Sequence, residues 1–350
     1  MRIPAPASGG LILSYRCPAE CRHCMYGCSP RWSADWIGNG DLETILAQLS
    51  RTIQPSPFGP RAVSLSHGLH FTGGEPFLNF ELLCKAVEMA GAMGIPSTFV
   101  ETNGAWCATD RVTLDKLGLL REKGLTGIMI SVNPFYLEFV PFERTERAVR
   151  CALATFAENV MVYQVEYYRR FTDLGLRGTL RLEEYLRLEG MTGFIRNVEF
   201  FMMGRAPYSL GGMLRVAFPP LPAGRLLDEP CQPPFVRDWH NHFDNYGNYV
   251  PGFCGGISYG DCRNLDELIA RPLTPGERPV LDMLMREDLR GLLGLAGGMG
   301  YVESEGGYLS RCHLCVDIRK HLASTGRFAE LAPAEFYDHI AQEGREPAGR

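Results

Sequence analysis

Along residues 9–206 the apolar positions follow a repeating order. A short continuous apolar run is followed by a break at Gly, Asn or Pro. A longer stretch then places apolar residues three and four apart. The first kind of run reads as a buried strand and the second as an amphipathic helix. "GGLILSY" predicts a first strand, and "DLETILAQLSRTI" a helix with Asp41 as its cap. "VSLSHGLHFTGG" predicts a second strand that ends in glycines, and "NFELLCKAVEMAGAMG" a helix closed by glycine. "STFVETNG", "LTGIMISVNP" and "VMVYQVEYY" predict three more strands, with helices at "DRVTLDKLGLLREKG", "PFERTERAVRCALATFAEN" and "TLRLEEYLRLEG". "IRNVEFFMMGRA" completes the series as a sixth strand. Strand–helix units in such a row predict an α/β fold, a parallel sheet curved into a full or partial barrel. Reacting groups in these folds gather at the carboxyl ends of the strands. Cys17, residues 73–75, Asn103, Ser131 and Asn133 all fall at predicted strand ends.

After Ala206 the pattern changes. Residues 207–234 are rich in Pro and Gly, which predicts a linker, and residues 239–256 read as a hairpin turning at 245–248. Helical patterns follow at 265–270, 278–293, 312–324 and 334–342. The expected organisation is a barrel over 1–206, a linker over 207–230 and a smaller tail domain over 231–350. His240, His242 and Asp244 alternate along the predicted hairpin strand and share one face. They offer acid–base groups but are expected as solvated hairpin residues. No catalytic acid or base is assigned.

Composition narrows the class. The chain is 45% hydrophobic and 21% charged, with a net charge of −5, so no overall basic field points to nucleic acid. Its apolar runs are too short and broken to span a membrane. The opening "MRIPAPASGG" lacks the apolar core of a secretory signal. A cytoplasmic location is therefore expected, where thiols stay reduced and disulfides are the poorer reading of the twelve cysteines.

Those cysteines cluster. Cys84, Cys107 and Cys151 stand alone and read as small buried hydrophobes. Cys17, Cys21, Cys24 and Cys28 crowd into "SYRCPAECRHCMYGC". The spacing C-x3-C-x2-C presents three thiolates from one tight loop. Three thiolates can hold three irons of a four-iron, four-sulfur (4Fe–4S) cube and leave the fourth iron open to a small ligand. Soft thiolates suit iron–sulfur clusters or zinc. Structural zinc favours two separated ligand pairs, which this group does not offer. Spacing alone leaves zinc or an electron-transfer cluster open. The segment "FTGGEP", residues 71–76, narrows the choice, because it sits at the end of the next predicted strand.

With the cysteine loop, GGEP, "ETNG" and "ISVN" together, residues 10–206 resemble the radical S-adenosylmethionine (SAM) superfamily. The resemblance implies a partial (β/α)6 barrel. Cys17, Cys21 and Cys24 would ligate the cluster, and the amino and carboxylate groups of SAM would chelate its open iron. An electron from the cluster would cleave SAM to methionine and a 5′-deoxyadenosyl radical that abstracts a substrate hydrogen. Gly73 and Gly74 would let the backbone approach the methionyl amine, with Glu75 in the same segment. His23 stands where the family usually has an aromatic and would pack near adenine. Asn103, Ser131 and Asn133 would contact ribose and carboxylate, although the related pattern usually has Asp at the place of Asn133. Arg144 lies thirteen residues after Ser131, where some relatives set an arginine on the SAM carboxylate. Cys28 is surplus to the motif and reads as a bystander that could replace a lost ligand. An oxidoreductase of this class implies an electron donor such as flavodoxin or ferredoxin.

Cys231, Cys254, Cys262, Cys312 and Cys315 form a second group. C-x2-C at a helix start points two thiolates at one metal, and two hairpin thiolates would complete a four-thiolate site. This resembles the twitch or reduced SPASM-type extension of radical SAM enzymes. It implies an auxiliary 4Fe–4S cluster on Cys231, Cys254, Cys312 and Cys315, with Cys262 able to replace a hairpin ligand. Structural zinc is the alternative. Relatives with such extensions include peptide and protein maturases and dehydrogenases of small alcohols. The sixteen residues before Cys17 leave no room for an N-terminal peptide-recognition or cobalamin domain. The expected function is maturation of a peptide or protein, with a small-molecule oxidoreductase as the alternative. A non-catalytic iron–sulfur protein is disfavoured by the intact motifs.

Overall fold

The protein is described here by a computed structural model covering residues 1–33, 36–198, 201–231, 234–274 and 276–340. β1 (Ser8–Ile12) begins where the chain turns apolar, and all of its residues are buried. The loop after it carries the first cysteines and leads into α1 (Asn39–Leu49). β2 (Gly68–Thr72), α2 (Phe80–Ala92), β3 (Phe99–Thr102), α3 (Asp110–Glu122) and β4 (Gly127–Ser131) continue the alternation. A short α4 (Pro134–Leu137) precedes α5 (Phe142–Phe156), β5 (Val160–Tyr163), α6 (Val165–Asp173) and α7 (Leu182–Asn197). Side-chain caps set several helix starts by satisfying orphan amides. Asn79 accepts from Leu82, Thr109 from Val112, and Asn133 from Phe135 and Tyr136. Asp41 is not the expected cap. The N-cap of α1 is Gly38, and Asp41 lies inside the first turn, where its charge still meets the positive helix end.

The remaining elements are α8 (Ala206–Leu214), β6 (Asn241–Phe243), β7 (Tyr249–Val250), α9 (Leu265–Ala270), α10 (Pro279–Met285), α11 (Leu289–Gly297), α12 (Arg311–Ser324) and α13 (Glu335–Ile340). Among the described residues, seven strands form one sheet in the order β5-β4-β3-β2-β1-β6-β7. β1 to β6 are mutually parallel, and β7 runs antiparallel to β6. The architecture is the expected α/β partial barrel.

Its sixth parallel strand is not the expected one. Residues 195–197 finish α7, Glu199 and Phe200 lie outside the described residues, and Phe201 to Arg205 form a turn. That turn spends its hydrogen bonds on the cysteine loop, with the Arg205 amide donating to the Cys24 carbonyl at 3.1 Å. The sixth strand is instead β6 of the hairpin, at the opposite edge beside β1. In register, Gly10 of β1 stands between His70 of β2 and His242 of β6. Two other expectations change at left-handed residues. The fifth strand stops at Tyr163, because Gln164 (φ 63°) turns the chain into α6. Residues 278–293 split into α10 and α11, with Glu287 (φ 57°) between them. Cys84, Cys107 and Cys151 are buried in the core as expected. No helix among the described residues is long and apolar enough to cross a membrane.

Candidate active site

The chain leaves β1 into a loop held by its own backbone and by residues from far along the sequence. The Cys17 amide donates to the Ser29 carbonyl at 3.2 Å, and the Cys24 amide to the Cys21 carbonyl at 3.1 Å. Arg205, 3% exposed, reaches into the loop. Its guanidinium donates to the carbonyls of Cys21 (2.9 Å), Gly27 (2.7 Å) and Cys28 (3.1 Å). Trp32 donates to the Gly27 carbonyl and stacks between Tyr15 and His339, at 4.4 and 4.6 Å between ring centroids. α13 thus closes over the loop from the tail, and the Ser33 hydroxyl donates to Glu335 at 2.6 Å.

Cys17, Cys21, Cys24 and Cys28 all line one cavity of about 490 Å³. Burial pushes the Cys17 and Cys21 thiols well above the ordinary range. Cys24 is held down to about 6, chiefly by a hydrogen bond from Cys28, with the Arg205 charge assisting. Cys28 is therefore no remote bystander. The donor set fits an iron–sulfur cluster: soft sulfurs from one loop, largely withdrawn from water and faced by a buried cation.

The segment after β2 is zipped onto this loop. The Gly74 amide donates to the Ser14 carbonyl at 2.8 Å and the Glu75 amide to the Arg16 carbonyl at 3.0 Å. A Cβ on Gly74 would stand 1.8 Å from the Arg16 carbonyl oxygen. Glycine is therefore demanded there by the cysteine loop itself, before any ligand enters. Gly73 and Gly74 also line the cavity, as do His23, Asn103 and Ser131. The Asn103 amide nitrogen lies 3.6 Å from the Cys17 sulfur. His23 stacks on Phe135 at 4.4 Å, and its Nδ1 has no hydrogen-bond partner. Burial lowers His23 to about 3, so the ring is neutral.

Glu75, Asn133 and Arg144 stand outside the cavity wall. The buried Glu75 carboxylate accepts from the Thr102 hydroxyl (2.9 Å) and the amides of Asn103 (3.0 Å) and Phe77 (3.2 Å), which ties the end of β2 to that of β3. Burial raises its carboxyl to about 7 against these hydrogen bonds. Asn133 caps α4 and sits 3.2 Å from His23 Nε2. Arg144 donates to the Ala105 carbonyl. In this arrangement the three brace cavity residues.

The far side of the cavity was not foreseen. Glu101, Arg237, His240, His242 and Phe253 line it, together with Tyr26 from the cysteine loop. His240, His242 and Asp244 are buried, not solvated, because β6 pairs with β1 and turns that face inward. Asp244 accepts from Tyr15 at 2.9 Å and from the Asn248 amide at 2.8 Å. The alternation in "HNHFD" was the available signal. For Arg205 no local motif gave one.

In the tail, the thiols of Cys231 and Cys254 are raised by burial, with Cys315 a neighbour of both. Ser310 caps α12 through the His313 amide, which sets Cys312 and Cys315 in its first turns, three residues apart on one face. Arg319, 3% exposed, donates to the carbonyl of Gly255 (2.9 Å) and lies near Cys315 and Cys254. Cys262 has a different setting. It is fully buried, and its charged neighbours are Asp244, Asp261 and Arg263.

No protein-family model and no curated protein sequence matches the chain. Among solved structures the chain is similar to BtrN in complex with AdoMet and 2-DOIA, at 14% identity over 83% of this chain and 90% of that one, with a TM-score of 0.43. It is also similar to native anSMEcpe with bound AdoMet, at 13% identity over 91% and 98%, with a TM-score of 0.45. A third is SuiB of Streptococcus suis bound to S-adenosylmethionine, at 13% identity over 71% and 60%, with a TM-score of 0.31. Likeness at this level concerns outline only.

Proposed function

We propose that this chain is a radical SAM enzyme that abstracts a hydrogen atom from its substrate. One observation carries the reading. The C-x3-C-x2-C loop at the carboxyl end of β1 opens into a cavity whose adjoining wall is the glycine segment after β2. Cys17, Cys21 and Cys24 hold a 4Fe–4S cluster, and SAM lies along Gly73, Gly74, Asn103, Ser131 and His23. When bound, the cluster supplies the electron that splits SAM into methionine and the 5′-deoxyadenosyl radical. The chain's own part is positioning. Arg205 keeps the loop shut on its carbonyls, Glu75 fixes Asn103 through its amide, and Asn133 steadies the His23 ring.

Cys231, Cys254, Cys312 and Cys315 hold an auxiliary cluster, supported by the shared electrostatic surroundings of three of them and by the buried Arg319. Such a cluster would anchor the substrate or accept the electron left on it after hydrogen abstraction, and a flavodoxin or ferredoxin would supply the separate electron that cleaves SAM. The substrate is a peptide or protein, received at the rim where Arg237 stacks on Trp239 (4.3 Å) and Phe253 (4.2 Å). A small-molecule substrate is the second reading. It is favoured by the hairpin, which turns its polar face into a cavity of about 490 Å³ that SAM must share. Incubation of the reduced enzyme with deuterated candidate peptides and small alcohols tests both. Deuterium in 5′-deoxyadenosine identifies the donor class, and its absence with every peptide would exclude the first reading.

A further inference from the structure

At the far wall of the cavity, which His240 and His242 line, stands a cluster of three histidines that the radical SAM reading does not use. His70 on β2, His242 on β6 and His240 just before β6 are all buried. Their ligand nitrogens lie within 4.8 Å of one another. The rings crowd at 5.0 to 5.4 Å between centroids.

Room for them is made by Gly10. A Cβ there would stand 2.2 Å from His70 Nε2 and 2.7 Å from a carbon of the His242 ring. Glycine weakens a strand interior, and here it leaves its side-chain space to two imidazoles from the flanking strands.

The nitrogens are set for ligation. His240 Nδ1 lies 3.1 Å from the Leu65 carbonyl, and His242 Nδ1 lies 2.9 Å from the Gly252 carbonyl. A carbonyl partner on Nδ1 fixes the tautomer and leaves Nε2 with its lone pair, as the outer partners of metal-bound histidines do. Tyr26 sits 3.0 Å from His242 Nδ1 and 3.4 Å from its Nε2. His70 Nε2 has no hydrogen-bond partner although it is buried. Glu101 Oε1 is 3.3 Å from it, outside hydrogen-bond geometry. A buried, unpartnered ring nitrogen is costly without a ligand.

We propose that His70, His240 and His242 bind one divalent transition metal, with Glu101 at its side and its open position facing the cavity. Three imidazoles with a free fourth position make a Lewis-acid site of the kind zinc adopts when it binds an exchangeable ligand. The metal would hold a substrate through an oxygen or nitrogen donor, facing the radical that SAM would give at the cysteine loop. The site itself rests on β2, β1 and β6. Only the anchoring role rests on the radical SAM reading.

Zinc X-ray absorption on the reconstituted full chain, given one equivalent of zinc, tests the site. The expected result is about one zinc per chain in a nitrogen and oxygen shell at about 2.0–2.1 Å, without sulfur at about 2.3 Å. His70→Gln with His242→Gln weakens zinc binding by more than about 100-fold, and His240→Gln alone by more than about 10-fold. Cys312→Ala with Cys315→Ala leaves the nitrogen shell in place. No bound zinc, a sulfur shell in the wild type, or unchanged affinity in a folded histidine variant would overturn the proposal. If the double variant does not fold, the wild-type spectrum and His240→Gln still decide. Nitrogen-bound zinc supports the site whether or not SAM is cleaved, so failure of the two readings can be told apart.

Discussion

The cysteines of the cavity wall come from twelve consecutive residues, 17–28, whereas the histidine cluster beside it is assembled from β2 and the chain at β6, far apart in sequence. The first is local. Its spacing can be read before any fold is known, and the fold adds only burial and the Arg205 clamp. The second exists only because β6 enters the sheet beside β1, which brings residues 70 and 242 to either side of Gly10. Chemistry written in one loop survives as a motif. Chemistry written across strands waits for the register.

The sharpest way to break this comparison is to remove the local ligands. Reconstituted wild type should hold about eight irons per chain as two four-iron clusters, and Cys17→Ala with Cys21→Ala and Cys24→Ala about four. Iron analysis reads this, and full iron in the triple variant would detach the cysteine wall from the cluster. The tail offers a non-local counterpart. Cys312→Ala with Cys315→Ala should also lose about four irons. It should loosen residues 231–340 in hydrogen exchange while the barrel strands stay protected, because ligation contributes folding free energy to elements it joins. Stoichiometric zinc in a sulfur shell with only four irons in the wild type would make the tail site structural.

Next in size is Arg205→Met. It strips donors from three buried carbonyls of the cysteine loop. The carbonyls of Cys21 and Gly27 keep the Cys24 amide and Trp32 as donors, and that of Cys28 is left unmet; an unmet buried acceptor costs roughly 1–3 kcal/mol, so stability in denaturant should fall by about that much, with poorer cluster loading. The smallest effect expected is that of Asn133→Ala, which removes the α4 cap at about 1 kcal/mol. Asn133 acts on the cavity through His23, so SAM affinity should change only a few-fold. Asn103→Ala, on the wall itself, should weaken SAM at least 10-fold in equilibrium binding, and equal effects would erase the distinction between wall and brace.

The alternation of strands and helices through β5 was legible because each buried strand and amphipathic helix carries its own period. The sixth strand was not. "IRNVEFFMMGRA" is apolar enough for a strand, but its described residues finish α7 or bend over the cysteine loop. The same holds for the ligand candidates. Gly73, Gly74, Asn103, Ser131 and His23 reach the cavity, because strand ends point there. Glu75 and Asn133 lie beside them in sequence, yet their oxygens are taken up by neighbouring amides and hydroxyls. Neither Arg205 nor the pairing of His70 with His242 carries a local signal, since each depends on a contact between distant segments.

The central claim is that the cysteine loop and the GGEP wall form a SAM-cleaving site. Formation of 5′-deoxyadenosine tests it most directly, measured chromatographically after the anaerobically reconstituted protein is reduced in the presence of SAM. The account predicts slow 5′-deoxyadenosine release from the wild type without any added substrate, retained in Cys312→Ala with Cys315→Ala and abolished in the triple Cys17, Cys21 and Cys24 variant. A fully loaded, reduced wild type that leaves SAM intact would contradict it.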